Sequence, residues 1–119
     1  MEYQVSTAYL KSIQDRLSNL ELPIHFELPS PDVPEPFVVI GANSSNSDKT
    51  AQTGIFIEDM TVQIDCFLPK DSRTYAEEMR SKIVRSLGRN KRITSNLLQD
   101  KSIGRLVYHI VVKITETIY

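Results

Sequence analysis

Leu106, Tyr108, Ile110, Val112 and Ile114 alternate with Val107, His109, Val111, Lys113, Thr115 and Thr117 near the end of the chain. A period of two places the first set on one face of a β-strand and the second set on the other. The first face is wholly apolar and needs a core to cover it. The face with Val107, His109, Val111 and Lys113 is only half apolar and is suited to meet a neighbour. A chain of 119 residues holds one core, so residues 1–119 are expected to form a single domain.

Ile55 to Leu68 repeats the pattern. Met60, Val62, Ile64, Cys66 and Leu68 alternate with Thr61, Gln63, Asp65 and Phe67, with a bulge or bend expected at Glu58-Asp59. Phe37-Val38-Val39-Ile40 is an apolar, β-branched run and predicts a strand covered on both faces. Between these two strands, Asn43 to Gly54 holds no large apolar residue. It is expected to be the long mobile loop of a β-hairpin.

Two stretches have helical spacing. Val5, Tyr9, Ile13 and Leu17 predict an amphipathic helix over roughly residues 5–19. Tyr75, Met79, Ile83 and Leu87 predict a second one, capped by Asp71 or Ser72 and closed by Gly88 in a left-handed conformation. Ile93, Leu97 and Leu98 suggest a further short helical segment. Prolines at 23, 29, 31, 34 and 36 exclude helix and central strand from the stretch they occupy. That leaves a short edge strand at Ile24–Leu28 and an extended connector. The expected fold is α+β in the order α-β-β-α-β, with an antiparallel sheet and two helices packed on one face. Strands at 55–68 and 105–118 exceed the usual length of about five or six residues. Such strands project beyond a small core and favour pairing with another subunit.

Composition narrows the function classes. The formal net charge is -1, which gives no overall attraction to polyanions. Residues 1–70 hold four Lys/Arg against ten Asp/Glu, whereas residues 71–119 hold ten against five. A chain divided in this way can stack on copies of itself or on oppositely charged partners. Arg85, Arg89, Lys91 and Arg92 gather around the end of the second helix. They suit contact with DNA or an acidic protein face, or else form a solvated helix end that complements the helix dipole. One cysteine allows no intrachain disulfide. No secretion signal begins the sequence and no apolar run reaches the length of a membrane span, so a soluble cytoplasmic product is expected.

No reactive constellation emerges. Cys66 lies on the apolar face of its strand, where a thiol acts as a small hydrophobe. His25 and His109 have no partner at metal-ligand spacing. Asp65 lies on the opposite face from Cys66. Asp32 and Glu35 fall in the proline connector, where a poised carboxylate pair would be poorly held. No Gly-rich loop precedes a helix. Neither catalysis nor a cofactor is expected.

The stretch Glu58-Asp59-Met60-Thr61-Val62-Gln63-Ile64-Asp65-Cys66-Phe67-Leu68-Pro69 resembles one in the tail terminator proteins of long-tailed phages, the lambda type in particular. An alternating strand runs there into a Phe-Leu-Pro turn. A capped helix, here Asp71–Leu87, and a final long strand, here Leu106–Ile118, follow in the same order. The earlier strand and polar hairpin, Phe37–Gly54, also match. The resemblance covers about residues 36–119, and the proline-rich 23–36 segment departs from it. It implies a virion protein that forms a hexameric ring on the last ring of the tail tube. Such a ring stops tube polymerisation, meets head-completion proteins, and lets DNA pass through its centre. Its partners would be further copies of the chain, the tail tube protein and a head connector protein, with no membrane. Assembly contacts are expected at Asn43, Ser44, Ser45, Asn46, Ser47, Asp48, Lys49 and Thr50, at the basic cluster, and at Val107, His109 and Val111. A head-completion or minor capsid connector, or a small nucleic-acid-binding α+β domain, are the competing readings.

Overall fold

A computed structural model describes residues 5–46, 58–88, 92–101 and 104–118. The elements run α1 (Val5–Leu17), a 3-10 turn (Ser18–Leu20), β1 (Ile24–His25), β2 (Phe37–Asn46), β3 (Glu58–Leu68), α2 (Arg73–Leu87), β4 (Arg92–Asp100) and β5 (Val107–Ile118). The strands form one sheet in the order β1-β2-β3-β5-β4. The fold is α+β, as expected. The sheet is mixed rather than antiparallel, because β1 runs parallel to β2 while the other pairs are antiparallel.

Both helices lie on one face of the sheet. Tyr9, Ile13 and Leu17 of α1 and Ala76, Met79, Ile83 and Leu87 of α2 meet Val38, Ile40, Met60, Val62, Ile64, Cys66, Ile110, Val112 and Ile114 in one buried cluster. β2, β3 and β5 contribute alternate residues to it, which is what a period of two supplies, and Ile24 of β1 and Ile93 and Leu97 of β4 pack against it half-buried. Glu116 is the polar residue on this buried face. It is held by the guanidinium of Arg16 and accepts from the Tyr9 hydroxyl at 3.2 Å, tying α1 to β5. Burial, then the charge of Glu116, pushes the Tyr9 phenol well above its ordinary range.

The ends of the helices follow local chemistry. The Ser72 hydroxyl accepts from the Tyr75 N–H at 3.1 Å and so caps α2. Gly88 closes α2 with φ 109° and ψ 169°, a positive φ but not the left-handed cap that was expected, and its N–H donates to Arg85 O. α1 ends two residues earlier than expected, and a 3-10 turn carries the chain to Glu21 at φ 58°.

Three further expectations fail. Residues 92–100 form a strand and no helix. Ile93 and Leu97 fit a helical spacing of four and a strand spacing of two equally well. Thr94, Ser95 and Asn96 between them are weak helix formers, and pairing with β5 decides the outcome. Asn43–Asn46 are strand and not loop. Their backbones continue the ladder to β3 opposite Val62, Thr61, Met60 and Asp59. A ladder satisfies backbone groups whatever the side chains, so polarity alone did not mark the strand's end. The rest of the expected loop, from Ser47 onward, lies outside the described residues. Glu58 and Asp59 pair in regular register with β5, and the irregularity sits instead on β2 between Ile40 and Asn43.

Truncating a core residue on β5 tests this layering. Ile110→Ala should lower unfolding free energy by about 2–5 kcal/mol, whereas Leu98→Ala, on the exposed side of β4, should cost under about 1 kcal/mol. Urea denaturation checks both, and comparable losses would place β4 in the opposite register.

Candidate assembly surfaces

The sheet face away from the helices is half covered. The connector between β1 and β2 folds over one end of it. Phe37, Val39, Phe67 and Val107 form a second buried cluster there with Val33 of the connector packed against it. Val107 was expected to be an outward contact and is 1% exposed. It points away from the helices as predicted, but the connector shields it. The covering segment is fixed by Arg105, whose Nε meets Glu35 Oε1 at 2.6 Å while Nη1 and Nη2 donate to Pro31 O and Val33 O. Glu35 is therefore well held, contrary to the expectation for a proline-rich segment. Beside this clamp, Leu28, Pro29, Ser30, Pro31, Val33, Phe37, Gly104 and Arg105 line a cleft of about 300 Å³.

A ring ladder crosses the same face. His25 meets Phe37 edge-on at 5.8 Å, Phe37 meets Phe67 at 5.1 Å, and Phe67 stacks on His109 at 4.3 Å. His109 is held at both nitrogens. Nδ1 lies 2.7 Å from Asp100 Oδ2 and Nε2 lies 2.7 Å from Asp65 Oδ1. Two carboxylates on one ring call for two N–H donors, the protonated state. Burial alone lowers the imidazole pKa. The hydrogen bonds and charges of Asp65 and Asp100 outweigh that and raise it above its ordinary value. The cluster joins β3, β5 and the end of β4, and with both nitrogens engaged the ring is placed as a tie between strands.

Past His109 the face is polar and half-exposed. Val111 sits between Asp65 and Asn96, Lys113 between Gln63 and Thr94, and the hydroxyls of Thr61 and Thr115 meet at 2.9 Å. This part remains open, as expected for Val111 and Lys113.

The sheet's two edges differ. β1 is two residues long and parallel to β2. At the other edge β4 pairs with β5 on one side along all of residues 92–100. Among the described residues, its outer side meets no further strand of the sheet. It contains no proline, and Leu98 on it is 43% exposed. Such an edge is a template for another strand. α2 runs above it, and Arg80, Ser81, Val84, Arg85 and Ser95 line a cleft of about 350 Å³ between helix and strand.

Of the basic cluster, Arg85 is exposed in the last turn of α2, and Arg92 opens β4 with its guanidinium 3.6 Å from Asp59. Arg89 and Lys91 lie outside the described residues, as do Ser47, Asp48, Lys49 and Thr50. Cys66 is buried, and burial together with the neighbouring Asp65 charge pushes its thiol up to about 12. Among the described residues no helix is long and apolar enough to cross a membrane.

The His109 tie was not visible in the sequence. The alternation places Asp65 and His109 on outward faces, but only the register of β3 on β5 brings them together. Asp100 was hidden by the helical reading of its segment. No protein-family model matches the chain, and no curated protein matches it.

The tie predicts a pH dependence. A raised folded-state pKa gives stability that is complete below the ordinary histidine value of about 6.5 and lost as pH rises through the folded value. NMR of the His109 ring should show a pKa above that ordinary value. Urea midpoints should fall from pH 6 to pH 9, and His109→Gln should flatten that fall. A His109 pKa at or below the ordinary value would break the assignment.

Proposed function

We propose that this chain is a structural phage protein, a subunit of a ring that ends the tail tube at its head-proximal end and forms the joint to the head. The observation that carries it is the pair of unlike sheet edges, one short and parallel, the other nine residues long with its outer side unpaired among the described residues. A closed ring uses a head-to-tail contact, in which each subunit presents two different surfaces to its neighbours. A domain with two different edges offers such a pair. The shape is elongated, with principal extents of 52 × 28 × 24 Å.

Termination follows from the same logic. A tube grows because each ring offers the next a matching surface. Growth stops when a subunit binds that surface and presents a different one. Here one sheet face is sealed by two helices and the other is half covered by the connector, so the two sides of the layer are unlike. A ring of such subunits has two unlike ends, and its further partners are the tail tube protein and a head connector protein. DNA passes through the ring without sequence readout.

The test is genetic and visual. Particles made without the protein should comprise filled heads without joined tails, together with free tubes of irregular, excessive length in electron micrographs. Adding purified protein should cap the tubes and restore joining. Tubes of normal length in its absence would rule out termination and move the protein to the head side of the joint.

A further inference from the structure

Between Arg16 and Lys49 the sequence holds no lysine or arginine. That stretch contains β1, the outermost strand at one side of the sheet, and the connector after it. Glu21 and Glu27 flank β1 and are exposed, whereas Asp32 lies in the part of the connector that Arg105 draws across the sheet face. The opposite side of the molecule is formed by β4 with α2 above it. Lys82 and Arg85 are exposed on α2, Arg85 borders the cleft against Ser95 of β4, and Arg92 is exposed at the start of β4. Among the described residues the β1 side is thus acidic, while the α2–β4 side, where Glu77 and Glu78 stand beside Lys82 and Arg85, holds more basic than acidic groups, and the two sides lie at opposite ends of the strand order.

Resting on the ring reading above, we infer that the ring contact joins the acidic β1 edge of one copy, with Glu21 and Glu27, to the α2–β4 edge of the next, with Lys82 and Arg85. Opposite charges on opposite edges favour this head-to-tail pairing. They disfavour the two-fold alternatives, which set acidic edge against acidic edge or basic against basic. The open outer side of β4 lies within the same surface and gives the neighbour a backbone to bond. The charges set partner choice and register, and the contact weakens as salt screens them.

The experiment is a charge exchange. One variant carries Glu21→Lys and Glu27→Lys, so that both of its edges are basic. A second carries Lys82→Glu and Arg85→Glu, so that both are acidic, with Arg92 left on Asp59. Native mass spectrometry and negative-stain imaging read the ring species. Each variant alone should associate at least about tenfold more weakly than the wild type, a change of about 1.4 kcal/mol. An equimolar mixture should recover rings in which the two variants alternate. Rings from either variant alone, or a mixture no better than its parts, overturn the edge contact while leaving ring formation in place. A wild-type chain that never forms rings overturns the ring reading as well. Carbodiimide coupling of a mixed unlabelled and ¹⁵N-labelled wild-type sample gives a check free of folding defects. It should join Glu21 or Glu27 to Lys82 between copies, and cross-links confined within single chains would overturn the contact.

Discussion

The register of β5 is the constraint on which the rest of the structure depends. β5 is bonded along both sides, to β3 from Glu58 to Leu68 and to β4 from Arg92 to Asp100. In that register Ile110, Val112 and Ile114 face the helices and His109, Val111 and Lys113 face away. A slip of one residue would bring an imidazole and an ammonium into the core and expose three aliphatic side chains. Everything positioned across strands, from the core layer to the ring ladder on the far side, inherits this one alignment. The Glu116 contact with Arg16 and Tyr9 carries it to α1, since only one register sets that carboxylate beneath the helix.

The far face depends on β5 as well, through side chains that a core argument does not use. His109 reaches Asp65 on one neighbouring strand and Asp100 on the other. Arg105, just before β5, reaches back to Glu35, Pro31 and Val33 and draws the connector over Phe37 and Val107. A proline-rich segment without its own backbone ladder is thereby anchored by one guanidinium using three nitrogens. This leaves the sheet with one sealed face and one face that is apolar and covered at one end, polar and open at the other.

Alternation and helical spacing made much of the fold legible before any coordinates. The apolar sets at 60–68 and 110–114, the two helices and the Ser72 cap follow from side-chain chemistry alone. β4 was not legible, because Ile93 and Leu97 satisfy both periods and the choice is made by the edge of β5. The strand character of Asn43–Asn46 was hidden for a related reason, since it rests on backbone pairing with β3 and not on apolar side chains. Val111 was placed correctly on an open face. Val107 was placed on the right face but given the wrong exposure, because its cover comes from a segment some seventy residues earlier, held there by Arg105. The His109 tie needed three strands in register, two of them on the far side of a turn or helix from β5. Local patterns do not encode such a meeting.

Chain order and spatial order together give the charge division its meaning. In the sequence it is a statement about an acidic first part and a basic second part. The strand order β1-β2-β3-β5-β4 turns it into geometry, because β1 and the acidic residues around it fall at one edge while β4 and α2 fall at the other. Had β4 paired beside β1, the same residues would have neutralised one another within a single molecule. Placed at opposite edges, Glu21 and Glu27 are kept apart from Lys82 and Arg85, whereas Glu35 and Asp59 of the first part pair with Arg105 and Arg92 of the second within one copy. Intramolecular stability gains nothing from that separation, for exposed pairs on one surface would have contributed up to about 1 kcal/mol each. A contact between copies, as proposed above, would gain direction from it. In the ring proposed above, the same separation that costs a monomer a little stability would make a head-to-tail neighbour the better-matched partner.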